Sequence, residues 1–126
     1  MPDGRDGRVV LIVQEEFLLR MDVADAFEAV AFKIFQASTA DEAIFLLERE
    51  PTIRVVFTDI DLPGTTDGLA LAHYIRGRWP PTILLVSSAR IPRKALPSKT
   101  HFVQQPYLDG GLAQAVKEVL SQIEAA

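Results

Sequence analysis

Acidic, hydroxylated and amide side chains stand directly behind short apolar runs at four points of the chain. Gln14-Glu15-Glu16 follows Val9-Val10-Leu11-Ile12-Val13, and Asp59, with Asp61 two residues on, closes the run over residues 53–58. Ser87-Ser88 follows Ile83-Leu84-Leu85-Val86, and Gln104-Gln105-Pro106 follows Phe102-Val103. If the first and third runs are neighbouring strands, Glu15 and Asp59 share one corner of the fold. Carboxylates crowded together repel each other unless a cation lies between them. A hard divalent ion such as Mg²⁺ suits such a corner, because it takes oxygen ligands, uses one or two carboxylates and keeps several waters. Ser87 could donate a hydrogen bond to an anion at the same place. Each residue also has a plainer use. Asp59 could cap the following turn, and Glu15 and Glu16 could be a solvated start to a helix, where acids favour the positive dipole end. Ser87 could be a simple strand-end hydroxyl, and Phe102 could be core or rim packing.

Other chemistry finds little support. No Walker loop and no GxGxxG fingerprint is present, so a nucleotide site is not indicated. His73 and His101 lie far apart without metal-ligand spacing and are expected at the surface or rim. There is no cysteine, which removes disulfides, thiol nucleophiles and thiolate metal sites together and is compatible with the cytoplasm.

The elements that must position these side chains can be read from periodicity. The run from Val9 to Val13 is too short for a helix and too apolar for a strand with one wet face. A strand buried on both faces fits, which points to a parallel sheet covered by helices. Leu18, Leu19, Met21, Val23, Ala26, Phe27 and Val30 then recur at helical spacing. Residues 32–37 form a second short apolar stretch. Thr39 and Glu42 stand as a capping box, with Thr39 expected to cap first-turn amides and Glu42 to reach back to the Thr39 amide. Ala43, Leu46 and Leu47 line the helix that follows. The third strand ends at Asp59-Ile60-Asp61-Leu62-Pro63-Gly64, a stretch rich in turn formers. A helix follows over residues 69–75, then the fourth strand, a short fifth strand at Phe102-Val103, and a closing helix marked by Leu112, Ala115, Val116, Val119, Leu120 and Ile123. Between the fourth and fifth strands, Pro92 and Pro97 forbid a long regular helix, so an irregular loop or a single helical turn is expected. The alternation defines a doubly wound α/β fold with a five-stranded parallel sheet flanked by helices, the fourth of them short or irregular.

The 126 residues suffice for one core, expected over residues 9–126, with residues 1–8 as a short, flexible polar arm. Hydrophobic residues make up 48% and charged residues 24%, an ordinary balance for a globular chain. The formal net charge of −4 argues against nucleic acid as a partner, since that depends on Lys and Arg against phosphate. The longest apolar runs are strand-sized, so no membrane span is expected.

The segment Phe57-Thr58-Asp59-Ile60-Asp61-Leu62-Pro63-Gly64-Thr65-Thr66-Asp67-Gly68-Leu69, together with Ser87 and Pro106, resembles the response-regulator receiver family, of CheY-like fold. The likeness runs from Val9 to about Ile123. It implies that Asp59 accepts a phosphoryl group from a histidine kinase or phosphotransfer protein. It further implies that Mg²⁺ is held by Asp59, by Glu15 and by the backbone carbonyl of Asp61. The Ser87 hydroxyl would bind the phosphoryl group, and Phe102 stands where the family has an aromatic that moves with the Ser87 loop. The sequence departs from the family at three places. Gln14 replaces the first of two strand-end acids, Glu15 is one methylene longer than the usual Asp, and Gln105 replaces the lysine before Pro106 that ion-pairs with the site.

Glu15 and Asp59 without a lysine leave the same net negative charge as three acids with one, so attraction for a metal survives. The phosphorylated state, by contrast, loses a charge-assisted contact worth roughly 1.5–3 kcal/mol. The expectation is a phosphorylated signalling switch with weak coupling that works through a separate downstream effector protein, in the cytoplasm, and is not a metabolic enzyme. The alternative is a pseudo-receiver, a protein-binding module that works without phosphorylation, which Gln14 and Gln105 favour. A flavodoxin-like cofactor binder lacks the phosphate-binding loop it would need.

Overall fold

The computed structural model describes residues 5–108 and 110–125. Five parallel strands form one sheet in the order β2-β1-β3-β4-β5: β1 (Val9–Val13), β2 (Lys33–Ala37), β3 (Val55–Asp59), β4 (Ile83–Ser88) and β5 (Thr100–Gln104). Four helices accompany them: α1 (Phe17–Glu28), α2 (Ala40–Arg49), α3 (Gly68–Arg78) and α4 (Gly111–Ala125). The three central strands are buried along their whole length, as their unbroken apolar runs require, while the edge strands β2 and β5 are only partly covered.

Alternation along each strand builds two cores. Val9, Leu11 and Val13 of β1 point toward α2 and α3, where they join Ala43, Leu47, Leu71 and Ile75. Val10 and Ile12 point to the opposite face and join Val23 and Phe27 of α1 with Val116 and Val119 of α4. Two helices on each face therefore cover a sheet whose strand order reverses at β1, which is the doubly wound arrangement expected from the sequence.

The crossover from β4 to β5 contains neither helix nor strand over residues 89–99, in line with Pro92 and Pro97. Side chains of α3 take over the anchoring that a packed helix would supply. The Arg76 guanidinium donates to the carbonyls of Ser98 (3.0 Å) and Lys99 (3.4 Å), and to those of Pro80 and Thr82 (both 2.7 Å). His73 Nε2 lies 2.9 Å from the Ala95 carbonyl. The second histidine, His101, contacts Gln122 and Glu118 of α4.

One local expectation needs revision. Thr39 caps α2 by accepting from the Glu42 amide at 3.1 Å, but the Glu42 carboxylate does not return to the Thr39 amide. It accepts the Ser38 hydroxyl at 2.7 Å, a nearer charge-assisted partner. Of the expected N-terminal arm, Arg5–Gly7 forms a short turn in which Asp6 and Gly7 have positive φ angles of 60° and 78°. A Cβ on Gly7 would meet the Ile123 side chain at 3.4 Å, so this end of the arm rests on α4. Residues 1–4 lie outside the described residues.

Candidate functional site

The site grows out of strand register at the carboxyl end of the sheet. Val13 pairs with Thr58 across β1 and β3, which places Gln14 beside Asp59 one step later. Asp59 pairs with Ser87 across β3 and β4, and Ser88 pairs with Gln104 across β4 and β5. The ladder continues beyond the last pairs, where the Ile60 amide donates to the Ser87 carbonyl at 2.9 Å and the Gln105 amide to the Ser88 carbonyl at 2.8 Å.

Asp59 is only 7% exposed. Its Oδ1 accepts the Asp61 amide at 3.2 Å, and the Gln14 side chain lies beside the same carboxylate and favours its ionised form. Burial pushes the Asp59 carboxyl above the usual aspartate range; the bonds from the Asp61 amide and Gln14 work against that rise, and the negative charge of Asp61 adds to it. Gln14 is itself buried and fixed, since its Oε1 accepts the Glu16 amide at 3.1 Å. An amide at position 14 therefore favours the ionised Asp59, where a second carboxylate would repel it.

Glu15, the next residue along, is exposed at the same rim, and the carboxylate whose charge acts on Asp59 is that of Asp61. Arg20 draws the Gln14 carbonyl (2.7 Å) and the Glu15 carbonyl (3.4 Å) toward α1. Glu16 caps α1 by accepting the Leu18 and Leu19 amides at 3.2 and 2.9 Å. One of the two adjacent glutamates is thus committed to the helix, and the other has no side-chain partner among the described residues.

Ser87 is fully buried and sits between two partners. Gln105 Nε2 donates to its Oγ at 3.0 Å, and the Tyr107 hydroxyl lies 3.0 Å from the same atom. The Tyr107 ring packs edge-on against Phe57 of β3, with centroids 6.2 Å apart. Burial raises the Tyr107 phenol above its ordinary value; its bond to Ser87 opposes the rise, and the Asp59 charge adds to it. Sequence reading did not single out Tyr107, because its place depends on how the chain turns after β5. Phe102 lies opposite Val86 and is half-buried, lining a groove of about 400 Å³ with His101, Leu108 and Gln114.

The helix that follows β3 is held close to the site. Asp67 caps α3 by accepting the Ala70 amide at 2.8 Å, and the Gly68 amide donates to the Ile60 carbonyl at 2.8 Å. Between this helix start and the β4–β5 crossover lies a cavity of about 580 Å³, lined by Asp61, Ser88, Arg90, Arg93 and Lys94 among others. The structure thus gathers Gln14, Asp59, Ser87, Gln105 and Tyr107 at one corner. Glu15 stands at its outer edge, and Phe102 lines the groove beside α4.

Residues 10–98 match the family model of the response regulator receiver domain, and the chain belongs to that family. Among curated proteins, the aerobic respiration control protein ArcA of Escherichia coli strain K12 is 37% identical over 67 residues, covering 53% of this chain and 27% of that protein. The likeness therefore reaches little more than a quarter of the relative's length. Among solved structures, the signal receiver domain of an HD domain-containing protein from Pseudomonas fluorescens Pf-5 superposes with a TM-score of 0.80 at 18% identity, over 94% of this chain and 98% of that one. A CheY-like receiver domain from Methylobacillus flagellatus gives 0.76 at 19% identity, over 92% and 98%. At these identities the two structures speak for the fold.

Proposed function

We propose that the chain is a signalling switch that accepts a phosphoryl group on Asp59 from a histidine kinase or phosphotransfer protein, acts in the cytoplasm, and passes its state to a partner protein by surface contact. The observation that carries this reading is the placement of Asp59: a buried carboxylate at the carboxyl end of a central strand, in register with the Ser87 hydroxyl and oriented by the Asp61 amide. In the transfer, an Asp59 carboxylate oxygen forms a bond to phosphorus as the bond from phosphorus to the donor's imidazole nitrogen breaks. The Asp61 amide and Gln14 hold the attacking carboxylate, and Ser87 faces the incoming oxygens.

The oxygen donors around Asp59 suit Mg²⁺. Asp59 and Glu15 would supply the one or two carboxylates that this ion uses alongside water, and the backbone carbonyl of Asp61 would add a further oxygen. Bound there, the ion would offset the negative charge of the phosphoryl group.

A second reading, a binding module that works without phosphorylation, draws on Gln14 and Gln105, two neutral amides in contact with Asp59 and Ser87. Incubation with acetyl phosphate and Mg²⁺, followed by Phos-tag electrophoresis and intact-mass analysis, separates the two. A gain of one phosphoryl group that Asp59→Ala abolishes supports the switch. An unmodified wild-type chain supports the module.

A further inference from the structure

An anion arriving at Asp59 meets no ammonium from position 105. What it meets instead is a compact set of neutral donors: the Ser87 hydroxyl, the Gln105 amide and the Tyr107 hydroxyl, each within 3.0 Å of Ser87 Oγ or being that atom. Hydrogen counting shows that the set has donors to spare. Two hydroxyls that share one hydrogen bond use one of their two hydrogens, whichever of them donates, and the other stays available. Gln105 likewise has two amide hydrogens and directs one at Ser87. The Tyr107 hydroxyl is placed by packing, with its ring seated against Phe57 on the strand that carries Asp59. A partly buried phenol of this kind keeps its oxygen where a polar partner waits. The Asp59 charge is felt at the phenol, so the hydroxyl belongs to the same corner as the carboxylate.

We propose that Tyr107 is a phosphoryl-binding residue, its hydroxyl completing with Ser87 and Gln105 a neutral cradle that receives the oxygens of a phosphoryl group on Asp59 in place of an ammonium. The proposal rests on the reading of Asp59 as the acceptor. In the resting chain the Tyr107 hydroxyl is paired with Ser87. In the phosphorylated chain it turns its hydrogen to a phosphoryl oxygen while Ser87 does the same. The cradle is uncharged, so it discriminates by shape and hydrogen-bond direction, and it tolerates salt better than an ion pair does.

The test compares the full chain with Tyr107→Phe, which keeps the ring and removes one oxygen. Both are titrated with fluoroberyllate in the presence of Mg²⁺ and followed by ¹⁹F and amide NMR. The expected result is roughly five- to tenfold weaker binding in the variant, the loss of one neutral hydrogen bond. One bound fluorine resonance should move while the others hold, and the melting temperature should stay near wild type. A purely structural tyrosine would not single out one fluorine. In a Gln105→Lys background the same Tyr107→Phe change should cost little, because the ammonium has returned. Equal or tighter binding in the Tyr107→Phe variant, or an unmoved fluorine spectrum, overturns the proposal while leaving Asp59 as the acceptor. A wild-type chain that binds no fluoroberyllate and takes no phosphoryl group overturns the acceptor reading and the cradle together.

Discussion

A Cβ built on Gly68 would lie 1.7 Å from the carbonyl oxygen of Asp59 and 2.6 Å from its carbonyl carbon. The start of α3 thus rests directly on the backbone of Asp59, and only a residue without a side chain permits it. The contact also lets the Gly68 amide reach the Ile60 carbonyl, which ties the helix to the turn that carries Asp61. Gly68→Ala should destabilise the chain by about 3 kcal/mol, since the obstruction is rigid backbone and not a side chain that can swing away. Urea unfolding measures this, and a loss under about 0.5 kcal/mol would mean that α3 can retreat at little cost.

Gln105 defines the other side of the site. Its amide holds Ser87, but it brings no charge to a phosphoryl group. Gln105→Lys should tighten fluoroberyllate binding by roughly five- to tenfold, the difference between a neutral and a charge-assisted contact. Amide shifts from Ser87 to Phe102 should grow with it, because stronger coupling moves more of the population. Large shifts already present in the wild-type chain, and unchanged by the substitution, would show that the lysine's absence does not weaken the switch.

These two residues mark what sequence can and cannot tell. The three central strands are visible as unbroken apolar runs because both of their faces are covered, and Asp59 is visible because it ends one of them. The edge strands are less sharp. Lys33 and Gln36 face outward on β2, so composition blurs where the strand begins. The Thr39 cap is a local event and is legible, whereas the turn of Glu42 to Ser38 depends on which hydroxyl lies nearer. The adjacent Glu15 and Glu16 are alike in sequence, and only the path of the β1–α1 turn makes one a helix cap and leaves the other exposed. Tyr107 and Arg76 act over 20 residues or more of chain separation, through Ser87 and through the β4–β5 crossover, and no short pattern announces either.

Arg76 carries the next prediction. Its guanidinium serves four carbonyls on two segments, which makes it the clamp for a crossover that has no helix of its own. Arg76→Ala should cost about 1–2 kcal/mol of stability, because several of these bonds are open to solvent and water replaces part of what is lost. The clearer signature is local: amide exchange should accelerate through residues 95–100 while the Val9–Val13 strand keeps its protection. Arg76→Lys should restore little, since a single ammonium cannot span carbonyls on both segments. Uniform acceleration across the whole sheet would instead make Arg76 a general stability residue.

The carboxyl of Asp59 sets a pH dependence with a definite sign. Burial lifts its folded-state value above the ordinary 3.8, so between 3.8 and the raised value the folded chain binds more protons than the unfolded one. Stability therefore falls as pH rises through that interval, and the cost of the buried charge persists at neutral pH. Asp59→Asn removes the titration, retains an oxygen for the Asp61 amide and leaves no charge to desolvate. The variant should melt above the wild type at pH 7, and the gap should close as pH approaches 3.8. Phosphorylation by acetyl phosphate should show the same carboxyl from the kinetic side, because only the ionised form attacks phosphorus. The rate should climb with pH to a plateau, with a midpoint above the usual aspartate range. A rate flat down to pH 4, or an Asn variant less stable than wild type at neutral pH, would mean that the bonds from Asp61 and Gln14 outweigh burial and hold Asp59 ionised.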